Sequence, residues 1–247
     1  MLSYRVIPRL DIKGQNLIKG VQFEGLRVLG KPADFARKYA DEGADELLYL
    51  DTVASLYGRN QLEEVIEAVT ESAFIPFTVS GGIRDFATVR HLCECGADRI
   101  AINTWAVKNP EIIHEISKSW GCQAITVSIE AKRVNGGWEA YTDGGRNKTG
   151  KDALRWAEEA VRLGAGEILI TSIDRDGTRK GPDFDLLKAI KVDVPLVYSG
   201  GIRLRDVAEV AQYTEGMAIG ASLHYGDCTI GQIKAELQRA GKEVRLT

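Results

Sequence analysis

The chain contains one ten-residue segment twice, and this repeat constrains its fold more than any other feature. Ile-Pro-Phe-Thr-Val-Ser-Gly-Gly-Ile-Arg at residues 75–84 returns as Val-Pro-Leu-Val-Tyr-Ser-Gly-Gly-Ile-Arg at residues 194–203, 119 positions later. The same step takes Asp11, in Leu-Asp-Ile-Lys, to Glu130, in Ile-Glu-Ala-Lys. A glycine turn and a strand-end carboxylate repeated at one spacing indicate a half-barrel that was duplicated and fused.

Short apolar runs alternate with helical stretches along the whole chain. Each run is continuously apolar, as in strands that are buried on both faces of a parallel sheet. The predicted strands are residues 5–10, 46–50, 75–79, 99–102, 124–129, 167–170, 194–198 and 217–219. The predicted helices include residues 32–42, 61–72, 85–95, 109–119, 152–163 and 205–213. Eight strands alternating with helices predict an α/β fold, a single (β/α)8 TIM barrel over residues 1–247.

The composition argues against several classes of function. A net charge of −3 gives no polycation signature for nucleic acid, and no apolar run reaches the roughly 18 residues that span a bilayer. The four cysteines fit neither a disulfide framework nor a zinc spacing, and the three histidines are scattered. The first residues lead into a strand without a signal-peptide pattern. We therefore expect a cytoplasmic protein with no metal, cofactor, nucleic-acid or membrane partner.

Small polar residues at four strand ends predict two phosphate sites. Ser-Gly-Gly ends predicted strands three and seven, where glycine lets the backbone approach an anion and the N–H groups of the next helix can bind phosphate. Predicted strands four and eight end in Asn-Thr and Ala-Ser, whose amides and hydroxyls would complete each site. The first predicted site comprises Gly81, Gly82, Asn103 and Thr104, and the second comprises Gly200, Gly201, Ala221 and Ser222. This pattern is typical of a long substrate with a phosphate at both ends.

Two carboxylates end strands on opposite sides of the predicted ring. Asp11 follows strand one and Glu130 follows strand five. Carboxylates so placed can act as general acid and general base on a substrate held between them. The alternative is that they only orient nearby lysines such as Lys13 and Lys132.

The two longest strand-to-helix loops, residues 12–31 and 131–151, begin directly after these carboxylates. Both are predicted on the face where such barrels do chemistry, so we expect them to serve the site rather than to be idle solvated loops. Asp174 and Asp176, after strand six, and Asp51, after strand two, either bind sugar hydroxyls or hold their loops.

Charged residues begin four strands at the opposite end of the barrel. They are Arg5, Glu46, Arg99 and Glu167, at the starts of strands one, two, four and six. Alternating charges on this face usually form a stabilising plug, and composition alone gives no reason to prefer another role.

Taken together, these motifs resemble the cyclase-subunit family of imidazole glycerol phosphate synthase. The resemblance runs from residue 5 to residue 246, and its most specific pieces are residues 10–13 with Lys19-Gly20, residues 97–104 and residues 164–178. It implies a (β/α)8 barrel that pairs with a glutaminase subunit. Ammonia released by that partner would pass through the barrel to a bis-phosphate ribulosyl nucleotide. Ring closure and cleavage would then give imidazole glycerol phosphate and aminoimidazole carboxamide ribotide.

The resemblance also implies roles for individual residues. Asp11 and position 130 become the two catalytic acid/base groups, and Lys19 lies on a mobile loop over the substrate. Thr171 and Asp176 join the substrate-binding set. The four charged residues at the far end become an ammonia gate, and Asp98 belongs to the surface that faces the glutaminase.

Three positions depart from the family pattern. Glu130 stands where the family has aspartate, and one more methylene moves the carboxylate by about 1.5 Å. Arg9 stands where a small residue is typical, which puts a bulky cation near Asp11. Arg99 stands where lysine is usual, which keeps the charge but changes the hydrogen-bonding geometry. The region after Ser222 is also shortened. Intact phosphate sites and an intact gate beside an altered acid indicate a divergent paralogue.

Three functions remain open at this level. The leading hypothesis is an ammonia-dependent cyclase and lyase. A second is a paralogue that conducts ammonia to a separate amidotransferase, for amidino-sugar synthesis in surface polysaccharides. A third is the related sugar-phosphate isomerase of histidine biosynthesis, from which the Gly-Ala-Gly-Glu-Ile segment at residues 164–168 and the four-residue gate point away.

Overall fold

Eight parallel strands close into a barrel in the computed structural model, which describes residues 3–52, 66 and 73–245. Around the barrel they are β1 (Arg5–Lys13), β4 (Leu47–Asp51), β5 (Phe77–Ser80), β6 (Arg99–Ile102), β7 (Ile125–Val134), β10 (Glu167–Ser172), β11 (Leu196–Ser199) and β12 (Gly216–Ile219). Each strand pairs in parallel with the next, and β12 pairs with β1 to close the ring. The predicted (β/α)8 barrel is confirmed, with all eight predicted runs in its strands.

Helices cover the outside of the barrel. In the described part of the chain they are α1 (Pro32–Asp41), α2 (Phe86–Glu94), α3 (Thr104–Lys108), α4 (Glu111–Trp120), α5 (Ala153–Arg162), α6 (Phe184–Ala189), α7 (Val207–Val210), α8 (Ala221–His224) and α9 (Ile230–Arg239). Of the predicted helices, 61–72 lies outside the described residues except for residue 66. The prediction for 205–213 was too long, because a 3-10 turn at Leu204–Asp206 precedes the four-residue α7. None of the described helices is long and apolar enough to cross a membrane.

The two long segments that follow the carboxylates were predicted as loops, and that prediction was wrong. The first forms the antiparallel strands β2 (Asn16–Val21) and β3 (Glu24–Gly30), and the second forms β8 (Gly137–Thr142) and β9 (Asn147–Asp152). We call these pairs the first and second hairpins. A two-residue turn, Asn135-Gly136, joins β7 to β8 with both residues at positive φ, and Asn-Gly is the preferred pair for such a turn.

Side chains that point into the barrel form layers. Ile7, Leu48, Leu169, Val197 and Ala218 make a small buried apolar cluster of their own. The charged residues that begin the strands lie on one side of this layer, and Asp11 and Glu130 lie toward the carboxyl ends of their strands on the other. The larger core packs between the barrel and the helices. Both carboxylates are therefore supported from below by a packed apolar layer.

Candidate active site

A cavity of about 370 Å³ opens at the carboxyl ends of the barrel strands. It brings Asp11, Glu130 and Asp176 together with the first glycine turn. The remaining lining comes from strand ends and both hairpins: Gly20, Phe23, Leu26, Leu50, Asp51, Thr52, Ser80, Gly81, Gly82, Ile83, Arg84, Ala101, Ile102, Asn103, Thr104, Trp105, Lys108, Gly144 and Arg146. Two predicted acids and one predicted phosphate turn thus share one cleft.

A second, much smaller cavity of about 20 Å³ lies beside the repeated glycine turn. It is lined by Gly200, Gly201, Ala221 and Ser222, the four residues of the second predicted phosphate site. Asp176 lines this cavity as well as the first. The two predicted phosphate sites therefore flank one carboxylate, an arrangement that suits a substrate with two phosphates.

Asp11 is held between two cations. Arg9 Nε donates to its Oδ1 at 2.8 Å, and Lys19 Nζ donates to its Oδ2 at 2.6 Å. Lys19 also donates to both carboxylate oxygens of Asp176, at 3.0 and 3.1 Å. All four residues are at most 3% exposed. We call Arg9, Asp11, Lys19 and Asp176 the ion cluster.

Charge sets the protonation of this cluster. Burial alone would raise the pKa of Asp11, but Arg9 and Lys19 outweigh it and hold that pKa well below its usual range. Burial likewise opposes the charge of Lys19, and Asp11 and Asp176 raise its pKa in spite of that. Asp11 is therefore a carboxylate at neutral pH.

Lys19 was predicted on a loop, but it lies within strand β2 and is 2% exposed. The strand fixes its ammonium group between the two carboxylates rather than above the cavity. In this structure Lys19 therefore acts first as a link between the first hairpin and the turn that carries Asp176.

Glu130 has an environment very different from that of Asp11. It is 5% exposed, and its Oε2 accepts a hydrogen bond from the backbone N–H of Gly145 at 2.7 Å. Burial raises the pKa of Glu130 to about 7, although Arg9 and the Gly145 N–H act in the opposite direction. The pKa values of the two acids are thus shifted in opposite directions, which separates the roles of acid and base.

The two glycine turns require glycine for the same geometric reason. Gly81 and Gly200 have φ of +107° and +125°. An added Cβ would lie 2.4 Å from the Asp51 carbonyl oxygen at the first turn and 2.9 Å from the Ser172 carbonyl oxygen at the second. Because the backbone of the preceding strand packs against each turn, there is no room for a side chain at either position.

Each glycine turn faces the start of a short helix. Thr104 begins α3, and its Oγ1 accepts from the Asp143 N–H at 3.0 Å, so its hydroxyl hydrogen is free to donate to an anion. Ser222 lies in the first turn of α8 and donates its hydroxyl to the Ile202 carbonyl at 2.5 Å. Backbone N–H groups in a first helical turn lack intrahelical acceptors. The second site therefore offers its anion backbone donors, beside the Arg179 side chain that lines its cavity.

The remaining predicted substrate residues have local partners. Asn103 donates from Nδ2 to the Tyr141 carbonyl at 3.2 Å. Thr171 accepts from Arg9 Nη1 at 3.1 Å and is not among the described residues that line either cavity. Asp174 accepts from the Arg133 N–H at 2.8 Å, so it holds the end of β7 that leads into the second hairpin. Asp51 lines the larger cavity.

The two hairpins meet above the larger cavity. Gln22 and Phe23 form the turn of the first hairpin, and both have positive φ, a costly conformation for residues with a Cβ. The turn is fixed by hydrogen bonds from Gln22 N to the Asp176 carbonyl and from Gln22 Nε2 to the Asp174 carbonyl. The Phe23 ring lies so close to Gly145 that an added Cβ there would be 2.8 Å from it. Phe23 thereby covers part of the cavity mouth.

A ring of ion pairs closes the opposite end of the barrel. Arg5 pairs with Glu46 at 3.0 Å and with Glu167, and Arg99 pairs with Glu167 at 3.1 Å and with Glu46 at 3.6 Å. We call these four residues the gate ring. A void of about 10 Å³ lies between this ring and the apolar layer, roughly the smallest volume that holds a water molecule. Asp98 is exposed beside the ring, and its carboxylate accepts from the Phe77 N–H at 3.0 Å.

Several cavity residues were missed by the sequence analysis. Phe23, Lys108 and Arg146 line the larger cavity, and Arg179 lines the smaller one. The Asn135-Gly136 pair was the signal that could have revealed the second hairpin, and with it Arg146. Nothing in the sequence marks Phe23, because its place depends on the strained turn. Within the described ranges, no group of three or more His, Cys, Asp or Glu side chains is arranged to hold a metal ion.

Two phosphates, or sulfates in their place, are expected to bind at this face. One should contact Gly82 and the start of α3, and the other should contact Gly201 and the start of α8, because both pairs present N–H groups to a small cavity. A crystal soaked in phosphate tests this directly. Density at neither turn would contradict it, and density at the first turn alone would limit it to the first site.

Comparison with known proteins places these observations in a family. A family model described as "Histidine biosynthesis protein" matches residues 5–229. A curated relative from Legionella pneumophila, "Imidazole glycerol phosphate synthase subunit HisF", is 55% identical to the chain over 205 residues. The aligned part covers 82% of this chain and 97% of that relative.

Proposed function

The chain belongs to the histidine biosynthesis protein family, and from this we propose that it is the cyclase subunit of an imidazole glycerol phosphate synthase. It would convert a bis-phosphate ribulosyl aminoimidazole carboxamide nucleotide and ammonia to imidazole glycerol phosphate and aminoimidazole carboxamide ribotide. The resemblance drawn from the motifs is confirmed by the 55% identity to a HisF subunit. We also propose that residues 1–247 form a single barrel domain.

The observation that carries this proposal is the shared cavity. Two buried acids with pKa values shifted in opposite directions face it, and the two phosphate turns lie on either side of Asp176. A substrate with two terminal phosphates would be held at both ends, with its central atoms between Asp11 and Glu130. One carboxylate would accept the proton that the attacking nitrogen loses, and the other would supply the proton that the leaving group gains.

A glutaminase partner would supply the ammonia. The gate ring forms the far end of the barrel, and Asp98 and Trp120 line an open depression of about 300 Å³ beside it. The void above the ring is of a size suited to one small neutral molecule. A partner docked on this face would release ammonia next to the ring, on the barrel axis below the catalytic carboxylates.

The two other hypotheses are less well supported. The relative that covers 82% of this chain is a synthase subunit, not an isomerase. The paralogue hypothesis rested on Glu130 beside an intact gate, but Glu130 lines the same cavity as Asp11. The second departure, Arg9, is bound to Asp11. Both departures are therefore accommodated within an intact site, which favours a working cyclase.

Turnover by the wild-type chain alone tests the proposal. In ammonium salts, with no partner present, the chain is expected to release aminoimidazole carboxamide ribotide from the bis-phosphate ribulosyl substrate. The same preparation should be assayed for sugar-phosphate isomerisation. Isomerisation without ammonia-dependent release would favour the isomerase, and absence of both activities from a folded, phosphate-binding protein would contradict the cyclase function.

A further inference from the structure

Arg9 is an unusual residue for the interior of a barrel. It lies on β1 two positions before Asp11, is 2% exposed, and is among the largest fully buried side chains. Its guanidinium donates from Nε to Asp11 and from Nη1 to the hydroxyls of Thr171 and Ser199, at 3.1 and 3.3 Å. It therefore connects the first acid to two strand ends in the other half of the barrel.

The contacts of Arg9 make the two acids unequal. Asp11 accepts hydrogen bonds from two cations, one on each oxygen, whereas Glu130 accepts one from the neutral backbone N–H of Gly145. Charge-assisted hydrogen bonds are roughly twice as strong as neutral ones. The geometry alone thus favours the anion on Asp11 over the anion on Glu130.

The groups around Arg9 give the site a balanced charge. Within the ion cluster, the cations Arg9 and Lys19 are matched by the anions of Asp11 and Asp176. His224 Nε2 bonds to the Arg9 carbonyl at 3.0 Å, and burial lowers the pKa of His224 to about 4, so it adds no charge at neutral pH. The Phe23 ring covers the guanidinium from above, at 5.3 Å. The ion cluster and Glu130 together are therefore neutral when Glu130 carries a proton.

We propose that Arg9 is a positioning residue, which fixes Asp11 in orientation and as the anion that accepts the proton. This rests on the proposed cyclase function. In one turnover Asp11 would take up one proton from the attacking nitrogen and Glu130 would give up one proton to the leaving group. The two acids then return to their starting states by exchange with solvent, with no net change in protons.

Replacement of Arg9 by methionine or lysine separates charge from packing. In ammonium salts, R9M is expected to lower kcat by about ten- to a hundredfold with KM within about threefold, because Asp11 loses its orientation. The alkaline limb of kcat/KM against pH should move to higher pH, because the charge of Arg9 lowers the pKa of Glu130 and R9M removes that charge. R9K should restore most of kcat and the wild-type profile. An unmoved profile in R9M, or equal impairment of R9K and R9M, would overturn the proposal.

A second measurement needs no substrate. The melting temperatures of R9M, D11N and the double variant R9M/D11N are compared with that of the wild type. The decrease in the double variant should be smaller than the sum of the two single decreases, because the residues share one interaction. Additive losses would refute the coupling. This measurement does not depend on turnover. An inactive wild-type chain would therefore count against the cyclase function, and the melting temperatures would still test the coupling between Arg9 and Asp11.

A third variant covers the case in which R9M does not fold. T171V removes one hydroxyl that holds Arg9 Nη1 and keeps every charge. A several-fold loss of kcat at an unchanged melting temperature would support positioning through Arg9, and an unchanged kcat would contradict it.

Discussion

Asp11→Asn is expected to lower the kcat of the ammonium-dependent reaction by about 10²–10⁴-fold, which is the range that a general acid or base contributes. The asparagine keeps the size of the side chain but can no longer accept a proton. It also leaves Arg9 and Lys19 with one matching anion, Asp176, so the cavity becomes more positive. Binding of a substrate with two phosphates should therefore be unchanged or tighter, and the loss should appear in kcat rather than in KM.

Steady-state release of aminoimidazole carboxamide ribotide, with kcat and KM determined separately, measures this effect. Asp174→Asn is a matched control, because Asp174 accepts a hydrogen bond from a backbone N–H and is not among the described residues that line the two cavities. The control should keep near wild-type activity. Since breaking a buried ion pair is destabilising, unfolding of Asp11→Asn must be measured beside it. Normal turnover by a folded Asp11→Asn variant would show that Asp11 only anchors Lys19 and takes no part in the chemistry.

The repeat predicted the framework of the site because it encodes local geometry. Continuous apolar runs mark strands buried on both faces, and a Ser-Gly-Gly turn needs glycine wherever the backbone of a neighbouring strand comes too close for a Cβ. Both properties can be read from a few adjacent residues. The barrel, the two glycine turns and the placement of Asp11 and Glu130 at strand ends could therefore be predicted without coordinates.

Contacts between distant segments could not be predicted in this way. Lys19 reaches Asp176 across 157 positions, and Arg9 reaches Ser199 across 190. The pairing of cations with carboxylates depends on how the first hairpin folds back over the barrel. The sequence predicted a loop in place of this hairpin. The unequal protonation of the two acids follows from those pairings, so it becomes visible only in the folded structure.

Ionisation of Glu130 destabilises the folded protein, and this effect increases as the pH rises. The folded pKa of Glu130 is raised from 4.5 to about 7, so its contribution to stability is fully present below pH 4.5 and is lost as the pH rises through about 7. At about 1.4 kcal/mol for each pKa unit, the loss is on the order of 3 kcal/mol. Glutamine carries no such penalty. Glu130→Gln should therefore unfold like the wild type in acid and be the more stable of the two above neutral pH.

The same substitution should remove activity while it stabilises the protein. Glu130→Gln keeps an oxygen for the Gly145 N–H but has no proton to donate as an acid, so kcat is expected to fall by about 10²–10⁴-fold. In the wild type, kcat/KM at a fixed concentration of free ammonia should decline as the pH rises through about 7, because the free enzyme then loses the proton on Glu130.

Glu130→Asp tests whether the site is adjusted to the longer side chain. The carboxyl would withdraw by about 1.5 Å from its hydrogen bond with Gly145, and a displacement near 1 Å can cost about a hundredfold in rate. We expect a loss of about ten- to a hundredfold, smaller than that of Glu130→Gln. Glu139→Gln is the matched control, because Glu139 also accepts from a glycine N–H, that of Gly150 at 2.9 Å, but is not among the described residues that line the cavity. A gain of activity in Glu130→Asp would show that the second hairpin does not position Glu130 for this reaction, and full activity in Glu130→Gln would exclude the carboxylate from the chemistry altogether.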